Sequence, residues 1–254
     1  ATAIGAAAIA RAEPDGYTLG SVDSGTLAVN PLVYQKLNYN AEKDFTLIGG
    51  LAKMPMMLVV GAHFPAKNLK EFIDIVRQSP DKMTSASAGV GSPLHAALEL
   101  FKQRTETRLV HVPYKGAAPA LQDLISGQVD SMFVDLAPSL ALIRSGHVRV
   151  LAVAASARLA ALPDVPTMAE AGLVGLEAYA WQVLVAPANV PSEKVMLLNH
   201  QLQAAQNDPD IRKKFEDLGM VPLVMTPEAT TAFVRAEQHR WADVIRVAGV
   251  QLQD

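Results

Sequence analysis

Residues 108–155 read RLVHVPYKGAAPALQDLISGQVDSMFVDLAPSLALIRSGHVRVLAVAA, and this stretch decides the fold. Three apolar runs, "RLVHVPY", "QVDSMFVDL" and "HVRVLAVAA", have the length and β-branched character of strands. Between them lie two short helical patterns. In Ala117–Ser126 the residues Ala117, Ala120, Leu121 and Leu124 share one face, and Gly127 stands where a left-handed residue ends a helix. Pro138–Ser145 followed by Gly146 repeats the arrangement. The run Leu124–Val129 and its looser echo Leu142–Val148 therefore read as two successive helix-to-strand returns, not as a solenoid repeat. Strands alternating with helices predict parallel pairing through right-handed crossovers. Strands as uniformly apolar as "VRVLAVAA" predict a sheet covered on both faces. The expected class is α/β.

Working outward, Ala3–Gly20 reads as a helix, a Pro-Asp-Gly turn and a strand. "DFTLIGGLA" and "MMLVVGA" read as two short strands. "NLKEFIDIVRQSP" is an amphipathic helix with Leu69, Phe72, Ile73 and Val76 inward, stopped at Pro80. "MTSASA" is the next strand. Downstream, the strand-like "AYAWQVLVAP" leads into three helices. They span Pro191–Asn207, Asp208–Leu218 and a last one capped by Thr226 with Pro227 in its first turn; a short strand, "VPLVM", precedes the last. An α/β region followed by helices with one late strand fits two lobes better than one open sheet. The expected division is residues 1–60 plus 180–254 for one lobe and 61–179 for the other. "MMLVVGA" and "AWQVLVAP" are expected as side-by-side hinge crossings, with a ligand crevice between the lobes.

The bulk properties narrow the function. A net charge of −3 and a pI near 6.1 leave no basic stripe for a phosphate backbone, and 6% aromatic residues supply no stacking platform, so no nucleic-acid partner is expected. The absence of cysteine excludes disulfides, thiolate nucleophiles and cysteine-ligated metals. No apolar run approaches the ~20 residues of a membrane-spanning helix. The six histidines are scattered, so neither a metal nor a cofactor is expected. The chain opens at Ala1, without Met and already inside a helical pattern, as a processed, trimmed or partial chain does.

Three strand-to-helix loops carry the candidate chemistry, at the sheet edge where open α/β folds bind ligands. In "SAGVGSPLHAALELF" (Ser87–Phe101), Ser87, Ala88, Gly89 and Gly91 precede Ser92 as N-cap and Pro93 as first helical residue. Such a loop offers bare amides to a carboxylate or phosphate at a helix N-terminus. It also fits an ordinary capped turn. It is neither a P-loop nor a dinucleotide fingerprint. Ser24, Gly25 and Thr26 form a second donor-rich loop, and Lys115 with Gly116 a third. Asp135 can bind a ligand amine or cap the following helix. Trp181 lines the crevice or fills the core. Ser92 with His95, three residues on, is an imaginable nucleophile and base, but no Gly-x-Ser-x-Gly elbow supports it.

At these motifs the chain resembles a family. "PDGYTL", "SAGVGSPLHAALELF", "HVPYKGAAPALQDLISGQVD", "LAVAASARLAALPDVPTMAEAG" and "GMVPLVMTPEATTAF" are similar, in order and over nearly the whole chain, to the solute-binding proteins of tripartite tricarboxylate transporters, the Bug family. The resemblance implies a two-lobed periplasmic-binding-protein fold of type II with two hinge crossings, and a protein that is not an enzyme. It implies capture of a small mono- or dicarboxylate, an amino acid or an aromatic acid, held by loop amides, hydroxyls and waters. The carried-over positions are Ser87 to Ser92 for one lobe, Ser24 to Thr26 for the other, and Trp181 near the hinge. The implied location is the periplasm after loss of a signal peptide. The implied partners are the subunits of a membrane transporter, with the receptor itself a monomer and not membrane-inserted. The family normally begins with a strand, a glycine-rich loop, a helix and a second strand; these have no counterpart ahead of Ala1. A hydrolase or transferase using Ser92 and His95, and the effector-sensing lobes of a regulator, are the alternatives. A regulator needs a helix-turn-helix segment, and none is seen.

Overall fold

The structure is a computed structural model and describes residues 3–250; the outermost residues of the expected first lobe, 1 and 254, lie outside that range. The chain divides into two compact units, Ala1–Lys53 with Trp181–Asp254 and Met54–Ala180. The first junction falls inside a strand. "DFTLIGGLA" and "MMLVVGA", expected as separate strands, are one: β2 runs unbroken from Phe45 to Gly61. The expected gap, residues 53–55, is part of the strand, and within the first run Gly49 and Gly50 mark close approach. A Cβ at Gly50 would lie 2.4 Å from the Leu223 carbonyl oxygen, and one at Gly49 2.8 Å from the Asn199 side chain.

In the first unit, α1 (Ala3–Ala10) leads through the Pro-Asp-Gly turn to β1 (Gly20–Asp23). A π-helical turn, Gly25–Val29, then continues as α2 (Asn30–Val33). β1 pairs antiparallel with β7 (Tyr179–Pro187), Asp23 opposite Gln182. Three helices follow: α7 (Ser192–Asn207), α8 (Pro209–Asp217) and α9 (Pro227–Ala248). Asp208 caps α8, and Thr226 caps α9 by accepting from the Ala229 amide. "VPLVM" pairs with β2 only at Val221–Pro222 (β8). The core holds Trp181, Trp241, Leu27 and Ile48.

In the second unit the sheet order is β4–β3–β5–β2–β6, with β3 Thr84–Ser87, β4 Val110–Pro113, β5 Ser131–Asp135 and β6 Val148–Val153. The helices are α3 (Leu69–Gln78), α4 (Pro93–Thr105), α5 (Ala117–Ser126) and α6 (Leu136–Arg144). β3 is parallel to β4 and β5 as expected. β5 and β6, however, are not neighbours, because β2 lies between them and antiparallel to both. β2, β5 and β6 are largely apolar and buried, whereas β3 is Thr-Ser-Ala-Ser and β4 lies partly exposed at the edge, and strand chemistry alone does not reveal the inserted partner. Phe64, Phe72, Phe101 and Phe133 form a chain of ring contacts, with centroids 5.6, 6.1 and 5.8 Å apart.

Strand direction positions the site. β3, β4, β5 and β6 all end at one edge, and β2 begins its run through this unit at the same edge, Met56 opposite Asp135. There the Met56 amide donates to the Ala178 carbonyl at 2.9 Å, and the Ala178 amide to that of Ala154 at 2.9 Å. In the first unit β1 likewise ends beside the start of β7.

Candidate ligand site

The loop from Ser87 to Ser92 leads from β3 into α4, with Gly89 and Gly91 at φ of 122° and 77°, conformations that favour glycine. Much of its donor capacity is used internally. The Gly89 amide donates to Ser87 Oγ at 3.1 Å, the Ser92 amide to the Gly89 carbonyl at 3.1 Å, and the Gly91 amide to His95 Nδ1 at 3.3 Å. Ser92 Oγ caps α4 by accepting from the His95 amide at 3.3 Å. Ala88 and Leu94, the second in the first turn of α4, keep amides with no internal partner among the described residues. The expected row of bare amides is thus reduced to these, because the loop's own side chains hold its turn.

Beneath the loop lies a frame not anticipated from the sequence. Ser87 Oγ is 2.6 Å from His111 Nε2, and the His111 ring stacks on His95 at 3.9 Å and 14°. His95 faces Glu99, which also accepts from Lys102 Nζ at 2.9 Å. Burial and the neighbouring His95 push the His111 imidazole down to about 4, so it is neutral at pH 7. Burial pushes Glu99 up, but His95 and Lys102 outweigh it and hold the carboxyl below its ordinary range. The arrangement answers the catalytic alternative. His95 Nδ1 bonds the Gly91 amide instead of Ser92 Oγ, so Ser92 has no base.

Asp135 stands at the end of β5, three residues past Met132, which is paired with Ala86 of β3. Its Oδ1 is shut from water without a hydrogen-bond partner, and burial raises its pKa. It precedes α6 but makes no side-chain cap. A capping carboxylate accepts from the second or third helical residue, and the third here is Pro138, which has no N–H. Of the Lys115–Gly116 loop, Lys115 is exposed. Tyr114 donates its hydroxyl to Asp123 at 2.6 Å, and burial together with that carboxylate pushes the phenol up to about 12.

In the first unit the Ser24–Thr26 loop opens the π-helical turn. Thr26 is not available to a ligand: its amide and hydroxyl both donate to Asp23 Oδ1, at 2.8 and 2.6 Å. Gly25 is buried within the turn, its carbonyl accepting from the Asn30 amide. Ser24 is 1% exposed, and its Oγ has no partner. Trp181 is a core residue, fully buried, donating Nε1–H to Glu237 Oε2 at 3.0 Å. Trp241 donates to the same oxygen at 3.2 Å, and Phe233 packs edge-on against Trp181. Two cavities of this unit, about 540 and 490 Å³, lie along Leu32–Leu47 and α9. Neither is lined by an expected ligand residue or an orphaned polar atom, so the orphaned groups are the better guide to a site.

Among the described residues no three His, Asp or Glu side chains group to hold a metal, and no helix is long and apolar enough to cross a membrane.

The profile of the tripartite tricarboxylate transporter family receptor, TctC, matches residues 1–250. Protein BugT of Bordetella pertussis is 33% identical over 251 residues, covering 98% of this chain and 77% of BugT. The R. palustris protein Rpa4515, solved with adipate, superposes with a TM-score of 0.93 at 34% identity, covering 98% of this chain and 84% of that one. MatC (Rpa3494) from Rhodopseudomonas palustris, solved with bound malate, gives 0.85 at 36% identity, covering 96% and 84%. The α/β fold is that of the TctC-type periplasmic binding proteins. This chain belongs to the tripartite tricarboxylate transporter receptor family, whose members are solute-binding receptors and not enzymes.

Proposed function

We propose that the chain captures a small organic carboxylate in the periplasm, after loss of a signal peptide, and delivers it to the membrane subunits of a tripartite tricarboxylate-type transporter. The observation that carries this reading is the placement of two of the four orphaned side-chain atoms among the described residues; the other two, Ser85 Oγ and Gln206 Oε1, lie within β3 and α7. Ser24 Oγ and Asp135 Oδ1 are buried polar atoms without partners, and each stands at the edge where crossing strands join its own unit. A buried polar atom costs about 1–3 kcal/mol when unsatisfied, a cost a bound ligand or its waters relieves. The amides of Ala88 and Leu94 add neutral donors suited to a carboxylate, so no arginine clamp is needed. Binding of adipate by Rpa4515 and of malate by MatC supports the ligand class.

The test is a thermal-shift screen of mono- and dicarboxylates, amino acids and aromatic acids, followed by recovery of the acid. A true ligand at a hundred times its Kd stabilises by about 2.7 kcal/mol. That raises the melting midpoint of a chain this size by roughly 5–10 °C, and the acid returns unchanged. Failure of every acid to shift the midpoint, or its chemical conversion, overturns the reading.

A further inference from the structure

The geometry points to a ligand that carries, beside its carboxylate, a hydrogen-bond donor that meets Asp135, with an ammonium group preferred over a hydroxyl. The inference rests on the carboxylate-receptor reading and narrows it. Asp135 closes β5 directly beside the ligand loop: it is three residues past Met132, as Gly89 is three past the paired Ala86. Three ordinary uses of a carboxylate at this position are ruled out. It does not cap α6, whose third residue is Pro138. It pairs with no Lys, Arg or His among the described residues, and burial alone displaces its ionisation. Its Oδ1 accepts no hydrogen bond from the rest of the described chain.

An acceptor in that position is costly until a donor arrives. A plain diacid makes matters worse by bringing a second negative charge toward the first. A hydroxyl supplies the missing hydrogen bond. An ammonium supplies the bond and the opposite charge together. The expected ranking on one carbon frame is therefore amino acid, then hydroxy acid, then plain acid. A site built to bond a donor rejects the analogue that lacks it strongly, because its own group is left unpaired.

Titration calorimetry on matched probes tests this: succinate, malate and aspartate; adipate and 2-aminoadipate; hexanoate and norleucine. On the best-fitting frame the amino member should bind about tenfold or more tighter than the plain acid. Asp135→Asn should remove most of that preference, weakening the amino member by about tenfold and tightening the plain diacid, whose charge repulsion it relieves. A plain acid that binds as well as its amino analogue, or an unchanged ranking in Asp135→Asn, overturns the inference and leaves the carboxylate reading intact. A protonated Asp135 donating to a ligand carboxylate gives that result, with plain acids bound best. If no acid binds on any frame, the carboxylate reading fails and takes this inference with it. Should Asp135→Asn not fold, the ranking in the unmodified protein decides alone.

Discussion

The two strand-to-helix turns, Asp23–Val29 in the first unit and Ser87–Ser92 in the second, are built from the same small polar residues and use them differently. In the first, one carboxylate does the framing: Asp23 takes both donors of Thr26 and leaves the Ser24 hydroxyl with nothing. In the second, the framing is spread over a serine and two stacked histidines, and the polar side chains of the loop itself are consumed. Of the two orphans among the described residues of that unit, Ser85 Oγ lies within β3 and Asp135 Oδ1 stands one strand away, at the strand end. The difference separates residues that shape a turn from residues left for a ligand, a distinction that composition does not make.

The sharpest way to break the comparison is to remove the first turn's frame. Asp23→Ala deletes the acceptor of two hydrogen bonds to a charged group, each worth roughly 1.5–3 kcal/mol. We expect a loss of about 3 kcal/mol in denaturant unfolding, with Asp23→Asn retaining part of it. A loss under about 0.5 kcal/mol would mean that Asp23 does not hold the turn.

The second turn's frame is sensitive to acid. The unfolded His111 titrates near 6.5 and the folded one at about 4. Between those values the unfolded chain takes up a proton that the folded chain does not, so stability falls as pH falls and the loss levels off below 4. The groups facing the imidazole are Ser87, His95, Glu99 and Lys102. Glu99, held below its ordinary 4.5, loses its own contribution only further into acid. Asp135, raised by burial, protonates first in the folded chain and works with the opposite sign, so it is the difference between the unmodified protein and His111→Asn from pH 6.5 to 4.5 that isolates the histidine. After discounting for its partial exposure, we expect a loss on the order of 2 kcal/mol by pH 4. Unfolding curves of His111→Asn across that range should lack the slope; an unchanged slope would assign the acid sensitivity elsewhere.

How much of this was legible follows from the kind of signal each residue carries. Periodicity and end signals found α3, α5 and the α9 start, because the Leu69, Phe72, Ile73 and Val76 face, Gly127, Thr226 and Pro227 act locally. The unbroken β2 is hidden at residues 53–55, where the two expected runs part and a proline reads as an interruption, while Gly49 and Gly50 lie within the first run and serve close packing. Its insertion between β5 and β6 is a long-range pairing with no local mark. Among site residues, Ser24 and Asp135 are the expected positions that keep unpaired side-chain atoms. Thr26, Gly89 and Gly91 have the right chemistry but spend it on neighbours in the same turn. Trp181 was set at the hinge by sequence, yet its partner Glu237, which binds both tryptophans, lies 56 residues away and left no local trace. His111 is the clearest omission: a histidine in "HVPYKG" points to nothing until β4 is laid beside β3.

Ser24→Ala is the smallest expected effect and the most discriminating, because its two readouts should move in opposite directions. The hydroxyl is 1% exposed and bonded to nothing, so the folded chain carries its desolvation cost without return. Alanine keeps the shape of the turn and removes that cost. The ligand-free protein should gain about 1 kcal/mol in denaturant unfolding. Calorimetry on the ligand found by the screen should show binding weakened by roughly five- to tenfold, the usual worth of one hydrogen bond. A serine that merely supports the turn would lower stability and leave affinity untouched. One with no role at all would change neither. Only a group held unsatisfied for a ligand makes the protein firmer and the complex weaker, so a stability loss in Ser24→Ala would assign the hydroxyl to the turn and remove it from ligand binding.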